Sequence, residues 1–152
     1  MKPTRKVGIL IIIILVVMQF IQPTRNRSDE LISTNDISHV YAMPQELHQT
    51  FVTKCYDCHS NNTKYPWYVN LQPIGWWLAA HVHEGKEHLN FSEFKTYPAE
   101  EARDKLEEIG EVTRERSMPI EAYTLFHEHA QLTAKDEKEI FDWLSTLSIT
   151  VD

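Results

Sequence analysis

Cys55-Tyr56-Asp57-Cys58-His59 is the stretch on which the reading of this chain turns. It holds both cysteines of the 152 residues. Two thiols three positions apart can reach the two vinyl groups on neighbouring edges of one porphyrin and become thioethers. The next residue, His59, is then swung under the iron as a ligand. This is the c-type haem attachment pattern, and covalent attachment keeps the group in place even where the surrounding core is small. Two other readings use a cysteine pair. Zinc would recruit histidines such as His81 and His83, and a redox disulfide would use the thiols alone. Neither requires a histidine directly after the second cysteine. With only two cysteines, a disulfide-stapled scaffold is excluded.

A haem iron held by His59 has a second axial position. Met118 is the leading candidate, because Met118-Pro119 falls in an expected loop 59 residues further on, where the thioether sulfur can turn toward the iron. Sulfur ligation stabilises Fe(II) and raises the reduction potential. The alternative is that Met118 only fills a core gap. Met43 is a poor rival, and Met1 and Met18 belong to the apolar N-terminal run. His81, His83, His127 and His129 are the imidazole rivals. An open sixth position would instead permit peroxide or small-gas chemistry.

Aromatic residues crowd the stretch after the motif: Tyr65, Trp67 and Tyr68 around Pro66, then Trp76-Trp77. Tyr65, Pro66, Trp67 and Trp77 are expected at the haem, with rings on the porphyrin edge and Tyr OH or Trp NH on the propionates. The Pro66 carbonyl is a candidate acceptor for the His59 Nδ1–H. The competing reading is that these rings form the aromatic core of a small helical domain.

Four helices and no strand are expected in the folded part. The first starts at Pro44, with Leu47, Phe51 and Cys55 four apart and leading into the motif. The second starts near Pro73, with Ile74, Trp77, Leu78 and Val82 on one face and Gly85 as a stop. The third starts near Pro98, with Ala102, Leu106 and Ile109 inward. The fourth starts at Thr133, with Asp136 as its capping partner and Ile140, Trp143, Leu144 and Leu147 as its apolar stripe.

Charge is divided unevenly. Lys2, Arg5, Lys6, Arg25 and Arg27 are the only charged residues of 1–28, which leaves ten basic against all 22 acidic residues in 29–152. That −12 domain would repel nucleic acid and attract a redox partner with a basic patch; it also serves plain solubility. No Ser/His/Asp arrangement, phosphate-cradling glycine loop or basic stripe is present, so no catalytic residue is expected.

Val7 to Ile21 is apolar apart from Gly8 and Gln19, and basic residues precede it. No small residues follow it to make a cleavage site, so it is expected to be an uncleaved membrane anchor rather than a signal segment. Residues 1–21 form this transmembrane helix, 22–43 a flexible polar tether and 44–148 the haem-binding domain. The basic N-terminus would stay in the cytoplasm, placing the domain on the periplasmic face of the membrane. Arg25 and Arg27, on the other side, count against that orientation.

Further residues fit a known pattern. Cys55 to Thr63, Tyr65-Pro66-Trp67-Tyr68, Pro73 to Trp77, His81, Gly85, Leu89 to Ser92, Met118-Pro119, Tyr123, His127, Leu132 and Trp143 together resemble the bacterial haem-binding domain family over roughly residues 44–147. The Phe20-Ile21-Gln22-Pro23 exit resembles anchored members from Bacteroidetes-type bacteria. The resemblance implies one covalent haem c in an all-α domain laid out like class I cytochromes c. Cys55 and Cys58 would be the attachment sites, His59 the proximal ligand and Met118 the distal one. The function expected is electron transfer, with a haem peroxidase or a gas or redox sensor as the alternative.

Overall fold

The computed structural model describes residues 3–148. Met1 and Lys2, the first residues of the expected anchor, lie outside the described residues. In chain order the α-helices are α1 (Pro3–Met18), α2 (Ile37–Val40), α3 (Gln45–Lys54), α4 (Tyr56–His59), α5 (Ile74–His88), α6 (Ala99–Glu115), α7 (Glu121–Thr124) and α8 (Ala134–Thr146). Short 3-10 turns cover Trp67–Asn70, Phe91–Thr96 and Glu128–Ala130. No strand occurs among the described residues.

The four expected helices are α3, α5, α6 and α8. Pro44, Pro73 and Pro98 stand at their N-terminal boundaries, where a missing N–H costs nothing. Thr133 and Asp136 cap α8 reciprocally, satisfying two otherwise unpaired N–H groups. Gly85, expected as a stop, lies inside α5, which runs on to His88. Its role is proximity: a Cβ there would lie 2.9 Å from the Cys58 carbonyl oxygen and 3.3 Å from Cys58 Cβ. Only glycine lets α5 press this closely on the motif.

The core is aromatic. Phe91 stacks on Tyr56 with centroids 5.2 Å apart and meets Phe51 edge-on at the same distance. Trp143 of α8 closes on Phe51 at 5.9 Å, and its Nε1–H donates to the Ala42 carbonyl. Leu47, Leu106, Ile140 and Leu144 fill the remainder. Each such side chain contributes roughly 1.5–3 kcal/mol by leaving water.

Two expectations about the N-terminal third are corrected. No helix among the described residues is long and apolar enough to cross a membrane, so the expected transmembrane helix does not hold. The sixteen residues of α1 extend about 24 Å, short of a hydrocarbon core of about 30 Å. The polar side chains that follow are occupied on the domain: Gln19 exchanges hydrogen bonds with the Gln72 backbone, and Gln22 donates to the Asn70 carbonyl.

Residues 22–43 do not run free as a tether. Asp36 and Ile37 are fully buried, Ile37 within the core. Asn26 clamps the loop after the motif, donating to the Ser60 carbonyl and to Thr63 Oγ1 while its backbone N–H meets Tyr65 OH at 2.7 Å. Lys86 of α5 donates to Asn26 Oδ1. The polar composition that suggested solvation supplies these bonds instead.

Candidate functional site

The Cys-x-x-Cys-His motif straddles a break in helical geometry. Cys55 ends α3 with φ −122°, and α4 carries Tyr56 to His59 on a new axis. The motif is fixed from three sides. Tyr56 OH donates to the buried Asp36 carboxylate. Asp57 accepts from the Lys64 N–H and from Tyr123 OH. Cys58 is pressed by Gly85. The two thiols and the imidazole are thereby turned to the opposite side, into a cavity of about 410 Å³.

The cavity is walled by α3, α4, α5, α6, the loop after α6, and α8. Phe51, Leu89, Phe91, Ile109, Val112 and Ile140 supply its apolar surface. Cys55, Cys58 and His59 line it together with Met118 and Pro119. The sequence reading that separated His59 from Met118 by 59 residues is here resolved into a single space. Met118 arrives there because α6 ends sharply: Arg116 caps it at φ 54°, and the Ser117 N–H reaches back to the Val112 carbonyl. The chain then doubles back along the cavity, with Met118 still 40% exposed. His81 and Tyr123 also line it.

Burial favours the neutral form of the imidazole and of both thiols. His59 Nδ1 lies 3.0 Å from the Leu89 carbonyl oxygen. A carbonyl only accepts, so Nδ1 carries the proton and Nε2 presents a free lone pair. Burial lowers the His59 pKa, with the Leu89 and Gly85 carbonyls partly opposing it; the neutral ring is the form that binds metals. Burial, reinforced by Cys58, pushes the Cys55 thiol up to about 12. Burial and the Asp57 charge push Cys58 up to about 11. Thiols held protonated are poor disulfide exchangers. No three His, Cys, Asp or Glu side chains converge to hold a metal ion among the described residues. His83 is exposed, 3.3 Å from Glu87.

A haem fits this set. The cavity is apolar, two free thiols share one wall, and an oriented imidazole shares it with them. Each of these features is local to the motif and its packing partners.

The aromatic expectations are corrected. Tyr65, Pro66, Trp67 and Trp77 do not line the cavity. Tyr65 OH accepts from the Asn26 N–H, and its ring lies under Arg25. Pro66 precedes the Trp67–Asn70 turn and its carbonyl accepts from Val69, not His59. Trp67 is 77% exposed. Trp77 is partly exposed and packs its ring 4.1 Å from His81, so it touches the cavity lining only from behind. Missed by sequence reasoning was Leu89 as the histidine's acceptor. Its carbonyl carries no side-chain signal.

The fold and site together define an all-helical domain built around one apolar cavity with paired thiols and an oriented imidazole on its wall. The chain belongs to the Haem-binding domain family, whose model matches residues 13–146. The match therefore takes in the segment 22–43 along with the motif. Among curated proteins and among solved structures, no match was found.

Proposed function

We propose that this haem-binding protein is a monohaem c-type electron carrier, with Cys55 and Cys58 as thioether anchors and His59 and Met118 as axial ligands. The observation that carries this reading is the convergence of all four side chains on one cavity of about 410 Å³. Bound there, the haem would supply a one-electron couple. Around it, the chain's own residues have distinct tasks. Leu89 holds the His59 ring in the tautomer that presents Nε2. Phe51, Phe91 and Ile140 exclude water from the macrocycle. The acidic exterior favours a redox partner with a basic face. The domain would work outside the cytoplasm, where c-type haem is attached.

A second reading is supported by one observation. Met118 is 40% exposed on a loop, and His81 lines the same cavity. A displaceable methionine with an imidazole at hand suits a gas or redox sensor, or a peroxidase.

Optical spectra of the chain matured with c-type haem machinery separate these readings. Electron transfer predicts haem that resists acid-acetone extraction, a weak far-red Met–Fe(III) band and indifference to carbon monoxide, with Met118→Ala losing the last two. Ready carbon monoxide binding by the wild type favours the sensor or peroxidase. A colourless or acid-extractable product rejects covalent attachment.

A further inference from the structure

Tyr65 to Ala80 is a stretch without a single charged residue in a chain that holds 22 acidic ones. Within it Trp67, Leu71, Ile74 and Trp77 are 77%, 47%, 44% and 42% exposed. The same stretch is hydrogen-bonded to the residues just after α1. Gln19 and Gln22 bond there to Gln72 and Asn70, and Trp76 Nε1–H donates to the Ile21 carbonyl at 2.8 Å.

The helix α1 is exposed on every side. Its apolar side chains from Val7 to Val17 are 42–62% accessible, and none is buried. A protein partner covers one stripe of a helix, whereas a helix apolar all round suits an apolar medium. Its charges are basic only: Arg5 and Lys6 lie in the first turns of α1, and Arg25 and Arg27 follow it. Arg25 is bonded to Asn70 beside the exposed rim. Tryptophan with arginine at the border of an apolar surface is the pairing found where protein meets lipid headgroups. The acid-free part of an otherwise acidic domain thus coincides with its apolar rim and its basic flank.

We infer that the rim of Trp67, Leu71, Ile74 and Trp77 rests on an anionic lipid bilayer. The domain is then seated on the surface by its own side chains. Because Trp77 packs against His81, the lipid contact ends one helical turn from the haem cavity.

Flotation of the full-length, haem-loaded chain with phosphatidylcholine vesicles, with and without phosphatidylglycerol, tests this. The variant combines Trp67→Ser, Leu71→Ser and Ile74→Ser, all exposed and off the cavity lining, so an unchanged haem spectrum verifies its fold. The wild type is expected to float with the phosphatidylglycerol vesicles and more weakly with neutral ones. The triple variant should bind about tenfold more weakly or worse, and amide exchange across 67–77 should be slowed by vesicles only in the wild type. Equal binding by both chains, with exchange at 67–77 indifferent to vesicles, would overturn the inference. So would a wild-type chain that ignores vesicles and self-associates through this rim.

Discussion

Tyr123 OH donates to Asp57 Oδ2 at 2.6 Å, joining the centre of the Cys-x-x-Cys-His motif to the helix just after Met118-Pro119. The bond ties the two walls of the cavity across 66 residues of chain. Burial, together with the Asp57 charge, raises the Tyr123 pKa, so the phenol stays a donor throughout the physiological range. Tyr123→Phe should cost about 1–3 kcal/mol, as expected for a hydrogen bond to a charged group. If Met118 ligates the iron, the same change should weaken the far-red band and admit some carbon monoxide. Thermal melts and spectra of the haem-loaded variant check both.

Gly85→Ala should destabilise the domain although alanine favours helix. The added methyl would meet Cys58 backbone at 2.9 Å, and neither helix can yield without moving the motif. Overpacking of this kind costs about 1–3 kcal/mol. The expected signature is a lower melting temperature and less haem incorporated per chain, measured by the ratio of Soret to protein absorbance.

Asp136 should give the domain an acid-sensitive component of stability. Burial by itself would raise this carboxyl, but hydrogen bonds from Lys54 and Thr133 and the Lys54 charge outweigh it and hold it at about 2, below the ordinary 3.8. A depressed carboxyl stabilises the fold at pH above its unfolded value. That contribution shrinks as pH falls from 3.8 toward about 2. Asp136→Asn should lose roughly 1–3 kcal/mol at pH 7 and show a flatter loss of stability over that acid window. Urea titrations at a series of pH values would show it; parallel curves for the two proteins would contradict it.

Ile37→Ala should be among the most damaging changes outside the motif. Ile37 is fully buried in the core, and large-to-small changes at such sites cost about 2–5 kcal/mol. Its neighbour Asp36 is equally buried and accepts from Tyr56 OH and Ser38. Tyr56→Phe would leave that carboxylate with fewer donors, at a cost of about 1–3 kcal/mol. Were residues 22–43 a free tether, denaturation of both variants would match the wild type.

What the sequence by itself determined is the local chemistry. The spacing of Cys55, Cys58 and His59 marks the candidate haem site, and the helix starts follow from the fixed backbone of Pro44, Pro73 and Pro98 and from the side-chain cap of Thr133. Periodicity marked Leu47, Phe51, Leu106 and Ile140 because a helix repeats its inward face every three or four positions. What only the tertiary structure decided depends on atoms the sequence does not label or on partners far along the chain. The Leu89 carbonyl took His59, a role that the sequence reading gave to Pro66, because every residue has a carbonyl and only packing chooses among them. Asn26 and Asp36 joined the domain because polar side chains look alike in solvent and at a buried junction until their partners are placed, and Ile37 because an apolar residue set among polar ones shows no periodicity. Trp67 turned to solvent and half-exposed Met118 joined the cavity lining for the same reason: composition states how apolar a side chain is, and the packing of helices states which surface it meets.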